Sequence, residues 1–199
     1  MSTMRLDAEA PIPAGVALAL ATAAWGAGVV AASATGALGA MVEETMPAYA
    51  ALVATGIAVP TALYFGSGAV RRAVDAIGLR RLTLFHLWRI PAGLLFLWYA
   101  ATGGLPLAFA LIAGIGDVLA GLAAATLLGR EATPGLLRRI HLFGAADFVS
   151  AVGTGLTFTM LGDPLMVTLT TLPMALIPLF GVGLSGASHI IALNALRSV

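Results

Sequence analysis

The sequence predicts an all-α, polytopic integral membrane protein with six transmembrane helices, and three observations predict it. The chain has 199 residues, of which 60% are hydrophobic and 10% charged. Its apolar runs exceed the roughly 20 residues a helix needs to cross a hydrocarbon core. The polar connections between the runs are too short to hold a soluble domain, so residues 1–199 read as a single transmembrane domain.

The first span is expected at about 13–38. Its stretch AAWGAGVVAASATGALGA at 23–40 carries no charge and is rich in Gly and Ala, which lets helices approach closely. The N-terminal MSTMRLDAEAPIP mixes Arg5 with Asp7 and Glu9, and the apolar run after it is longer than a signal-peptide core, so it reads as uncleaved. The second span, about 46–67, opens on Met46-Pro47; Pro60 inside it cannot donate to the Gly56 carbonyl. Residues 68–82 follow as an interfacial helix, with Val70, Ala73, Val74 and Ile77 on one face and Arg71, Arg72 and Asp75 beside them.

The third span, about 83–102, begins with FHLWRIPAG at 85–93, where Pro91 frees the Leu87 carbonyl. Trp88, Trp98 and Tyr99 fit an aromatic belt near its ends. The fourth and fifth spans fall at about 105–129 and 137–161. The sixth, about 164–195, contains Pro173 and Pro178, which on the same argument free Leu169 and Met174.

Arginines 71, 72, 80, 81, 130, 138, 139 and 197 all fall on one side of this layout, and Glu43, Glu44 and Asp163 on the other. By the positive-inside rule both termini are cytoplasmic, as in a bacterial inner-membrane protein. A weak internal repeat is also legible. Met46-Pro47, Leu105-Pro106 and Asp163-Pro164 each open an even-numbered span, and FHLWRIPAG resembles IHLFGAADF at 140–148, which suggests three tandem helical hairpins.

Composition excludes several function classes. All ten basic residues are Arg and the formal net charge is +1, which gives no electrostatic footing for nucleic acid. The absence of Cys removes disulfides, thiolate metal sites and cysteine nucleophiles. GLSGAS at 183–188 lacks the GxSxG pattern and lies in a span, and the chain contains no HxxxH, HExxH or CxxCH. Whether the protein is an enzyme is therefore not decided by motif.

Three ionisable residues lie well inside spans: Arg89, Asp117 and Asp147. Such groups are expensive in hydrocarbon and usually pair or line a polar cavity. At about 1.5 Å per residue, Arg89 lies roughly 9 Å from the cytoplasmic end, Asp147 roughly 13 to 15 Å and Asp117 roughly 18 Å, so the three can share a layer. Asp117 has Ala113 and Gly121 one turn to either side, and His189 has Ser185 and Gly181 on its own side, so neighbouring helices can come close. His86 and Arg89 share a face, whereas His141 lies about 120° round from Asp147, which argues against one helix satisfying both.

These residues support three functional expectations. In the first, the protein is a small transporter of a polar or cationic solute, an ion or a proton, with Arg89, Asp117 and Asp147 as the binding or proton-carrying groups. In the second, His86, His141 and His189 bind a b-type haem or a divalent metal ion in a membrane redox protein. In the third, the chain is a structural subunit or assembly factor, as a homo-oligomer or in a larger membrane complex, and its charges fix helix register. The lipid bilayer is the common partner of all three.

Overall fold

The computed structural model describes residues 12–197. Residues 1–11 of the N-terminal stretch read as uncleaved lie outside them, as do the side chains of Glu43 and Glu44. Every regular element among the described residues is helical, and six helices are long and apolar enough to cross a membrane.

The first span is shorter than expected. Helix α1 (Ile12–Ala34) stops where Gly36 takes a φ of 76°, and the chain restarts as the short α2 (Ala37–Glu44). Only glycine adopts that left-handed turn at little cost, so the Thr35-Gly36 pair cuts the run read as 13–38. Helix α3 (Met46–Gly66) carries Pro47 in its first turn, where no N–H is needed, and Pro60 in its interior.

Helix α4 (Gly68–Ile77) forms most of the segment expected at the interface. The Ser67 hydroxyl caps it by accepting from the Val70 N–H, and Gly78, at φ 80°, ends it. It lies across the ends of α1 and α3, and the Tyr64 hydroxyl donates to Asp75 at 2.9 Å. Because Gly78 breaks the chain there, residues 79–82 belong to the third span and not to the interfacial segment. That span is built from α5 (Leu79–Phe85), a 3-10 turn at His86–Trp88 and α6 (Arg89–Ala101).

Helix α7 (Leu107–Ala125) starts directly after Pro106. Helix α8 (Pro134–Met160) begins three residues before the expected 137, because Thr133 caps it by accepting from the Leu136 N–H and Pro134 occupies its first position.

The sixth span departs most from the sequence reading. Pro164–Thr170 form a 3-10 segment, and the spanning helix starts only at Ile177 with a π-turn that continues into α9 (Val182–Ala195). Threonine hydroxyls explain the delay: Thr170 donates to the Val167 carbonyl and Thr171 to that of Thr168, offering the backbone an alternative to helix. The hairpin repeat is correspondingly incomplete, since Pro164 opens this 3-10 segment and not a spanning helix.

Irregular backbone is tolerated in a membrane protein where protein covers it. Met166, Leu169, Met174 and Ala175 are buried. The Tyr49 hydroxyl donates to the Leu169 carbonyl at 2.7 Å and the Ser33 hydroxyl to that of Thr170 at 2.8 Å. The carbonyls that Pro173 and Pro178 were expected to free are both occupied: Leu169 by Tyr49, and Met174 by the Ile177 N–H.

Helix α9 runs through the middle of the bundle, packed by α3 and α8, while α6, α7 and α8 form a second group beside it. Glycine permits the closest crossings. A side chain on Gly183 would meet the Gly56 carbonyl oxygen at 2.6 Å, so the acceptor freed by Pro60 lies against α9. Likewise a Cβ on Gly114 would stand 2.9 Å from the Gly93 carbonyl, bringing α6 and α7 into backbone contact. Leu20, Trp98, Leu107 and Val149 are among the large apolar side chains on the outer surface, as a lipid-facing exterior requires.

Candidate functional site

Arg89 stands at the centre of the buried polar groups. The preceding 3-10 turn closes the Arg89 N–H onto the His86 carbonyl. Gly121 then lets α7 approach: a Cβ there would fall 2.5 Å from Ile90. That approach places Asp117, one turn back along α7, beside the guanidinium.

Arg89 Nε donates to Asp117 Oδ1 at 2.6 Å, and Nη2 donates to Asp147 Oδ2. Nη1 donates to the Gly144 carbonyl at 3.3 Å. The three residues named in the sequence reading are thus brought together from α6, α7 and α8. The arginine side chain is 2% exposed, and those of Asp117 and Asp147 are 10% and 9% exposed. One guanidinium faces two carboxylates, so with all three ionised the cluster carries one excess negative charge.

The histidines adjoin this cluster, and the chemistry of their partners fixes the direction of each hydrogen bond. Arginine can only donate, so His189 Nε2, 3.4 Å from Arg89 Nη1, accepts. In the neutral ring Nδ1 then carries the proton and donates to His141 Nδ1 at 3.0 Å. His141 Nε2 in turn donates to the Thr83 hydroxyl at 2.9 Å, whose own proton goes to the Leu79 carbonyl at 2.7 Å. A single directed chain therefore runs from Arg89 through His189, His141 and Thr83 to the first turn of α5.

His86 is placed differently. The Ser188 hydroxyl donates to the Ser185 carbonyl, so it accepts from His86 Nε2 at 2.9 Å. His86 Nδ1 is left buried with no hydrogen-bond partner among the described residues. Its ring stacks on His189 with centroids 4.1 Å apart and planes 16° from parallel. One nitrogen from each of the three imidazoles lies within 4.8 Å of the others, a spacing from which a metal ion could gather all three. A bis-histidine haem needs the porphyrin plane between its axial rings, and the His86–His189 stack leaves no gap for one.

Two local expectations are corrected. His141 and Asp147 were expected to need different partner helices, yet the third span serves both, through Thr83 and Arg89. Each pair is six residues apart on its own helix, so the two spans stay in matching register. Trp88 was assigned to the aromatic belt, but its indole N–H donates to Ser185 at 3.1 Å and its ring lies where a Gly181 side chain would be. Trp98, 66% exposed, is on the outer surface.

On the far side of Arg89 and Asp117 lies a cavity of about 200 Å³, bounded by α3 and α8 and reaching to Tyr49 and Thr159. Asp117 Oδ1 accepts from Arg89 Nε, and the residue lines the cavity wall. Thr83, Ser188 and Tyr49 belong to the arrangement but escaped the sequence reading. Thr83 stands three residues before His86, a helical spacing that could have suggested it. Ser188 and Tyr49 carry no comparable signal.

Residues 46–197 match the family described as Domain of unknown function (DUF8737), and the chain belongs to that family. No curated protein and no solved structure matches it. Every residue of the buried cluster falls inside the matched segment, and α1 and α2 fall outside it.

Proposed function

We propose that this member of the DUF8737 family is a small membrane transporter in which Arg89, Asp117 and Asp147 bind a solute and carry its compensating proton. The observation that carries the reading is the unequal charge of the cluster. Two carboxylates share one buried arginine, and one of them opens onto a cavity. An excess charge in so dry a site is costly, so the cluster holds either a proton or a positively charged solute. Exchange of one for the other is the elementary step of a proton-coupled carrier. The arginines that cluster around α4, the start of α5, the α7–α8 connection and the end of α9 support an orientation with both termini in the cytoplasm.

Reconstitution in liposomes with an entrapped pH indicator tests this. Proton flux through the wild-type protein should fall at least tenfold in Asp117→Asn. Wild-type flux retained in both Asp117→Asn and Asp147→Asn would remove the assignment.

A second reading rests on His86 Nδ1, an unpartnered lone pair beside two other imidazoles. A divalent ion of borderline softness suits three nitrogen donors. Titration with cobalt(II) should then produce visible absorption bands that disappear in His86→Ala; a featureless spectrum rules the metal out.

A further inference from the structure

The cavity beside Asp117 has a chemistry that narrows the solute, and this inference rests on the transport reading above. We propose that the cavity binds a monovalent organic cation built from one aromatic ring and a short ammonium-bearing arm.

Three observations converge on that class. The first is charge. Asp117 lines the cavity, and the cluster it belongs to has one more carboxylate than it has guanidinium. A monovalent cation brings the buried site to neutrality, whereas an anion would meet the carboxylate and a divalent cation would overshoot.

The second is the lining. Tyr49, Trp88, Phe96, Phe109 and Phe148 contribute five aromatic side chains, and Ala113 and Val152 are typical of the rest. Aromatic walls attract a cation through the ring quadrupole, and more strongly where water is excluded. They also bury an apolar ring. A strongly hydrated inorganic ion would find no cage of oxygens here, since Asp117, Arg89, Ser185, Tyr49, Thr159 and the indole of Trp88 are the side chains with polar atoms on the wall.

The third is size. An apolar cavity of about 150 Å³ accepts benzene, and this one measures about 200 Å³. The difference leaves room for a few heavy atoms beyond the ring. Orientation follows from the wall: the ammonium sits at Asp117 and the ring extends between α3 and α8 toward Tyr49.

Calorimetric titration of the detergent-solubilised full chain with benzylammonium tests the class. Benzyltrimethylammonium, benzyl alcohol and benzoate serve as the fixed-charge, neutral and anionic comparisons. Both cations should bind saturably, benzyl alcohol at least tenfold more weakly and benzoate not at all. Asp117→Asn should weaken benzylammonium at least tenfold and leave benzyl alcohol unchanged. Val152→Phe, which narrows the cavity without touching the Arg89 pairs, should weaken both. Benzyl alcohol binding as tightly as benzylammonium would overturn the proposal, as would tight benzoate binding or wild-type cation affinity in both variants. Failure of the two readings is separable. Proton flux without aryl-cation binding rejects the substrate class alone, and cation binding without flux rejects transport alone.

Discussion

Replacing Arg89 with methionine removes the only guanidinium among the described residues that faces Asp117 and Asp147 while keeping a long side chain in its place. Both carboxylates then remain in a site where neither side chain is more than 10% exposed, so solvent cannot take over the role of the lost partner. Removing one member of a buried ion pair typically costs about 3–5 kcal/mol. For a chain of this length each kcal/mol corresponds to about 2–4 °C in Tm, so the expected loss is roughly 6–20 °C. Thermal unfolding in detergent micelles, followed by intrinsic fluorescence, measures it. The triple variant Arg89→Met, Asp117→Asn, Asp147→Asn removes the stranded charges and should recover at least half of the loss. A single variant within about 2 °C of the wild type would refute the reasoning, and so would a triple variant no more stable than the single one.

Three further outcomes follow from particular contacts. Gly116→Ala would drive its methyl group into the Asp147 carboxylate; it should destabilise by about 1–3 kcal/mol in the same unfolding assay and reduce proton flux. Thr83→Val keeps the shape but leaves the His141 Nε2–H buried without an acceptor, which should cost about 1–3 kcal/mol of stability. Tyr49→Phe deletes the donor to the Leu169 carbonyl and should cost about 1 kcal/mol, with hydrogen exchange rising in residues 164–176 as the independent readout.

What was legible in the sequence followed from physics that is local. Long apolar runs, prolines at helix starts and the depth of Arg89, Asp117 and Asp147 along their spans need only the rise per residue, and the three side chains do meet. The sixth span starts later than hydropathy predicts because its first dozen residues are apolar enough for a helix, while threonine hydroxyls and Pro173 favour other backbone bonds. Hydropathy does not register that competition. The interfacial boundary moved because Gly78, at φ 80°, ends the helix after Ile77.

The site's finer parts depended on which helix neighbours which. The seat of Trp88 over Gly181, the anchoring of His86 by Ser188 and the cavity between α3 and α8 are products of tertiary packing, and one helix read alone carries no trace of them. His141 and Asp147 show the limit from the other side. Their angular separation was read correctly, but two spans in matching register supply both partners, which no single-helix argument can foresee.

The most direct test of the account is the number of protons released when a cation enters the site. Benzylammonium chloride is added to solubilised protein in weak buffer near pH 7, and released protons are counted against cation bound. If the excess charge of the cluster is compensated by a proton that the solute displaces, about one proton should leave per cation bound, and none should leave from Asp117→Asn. Binding without proton release, or equal release from Asp117→Asn, would contradict the exchange on which the proposed function stands.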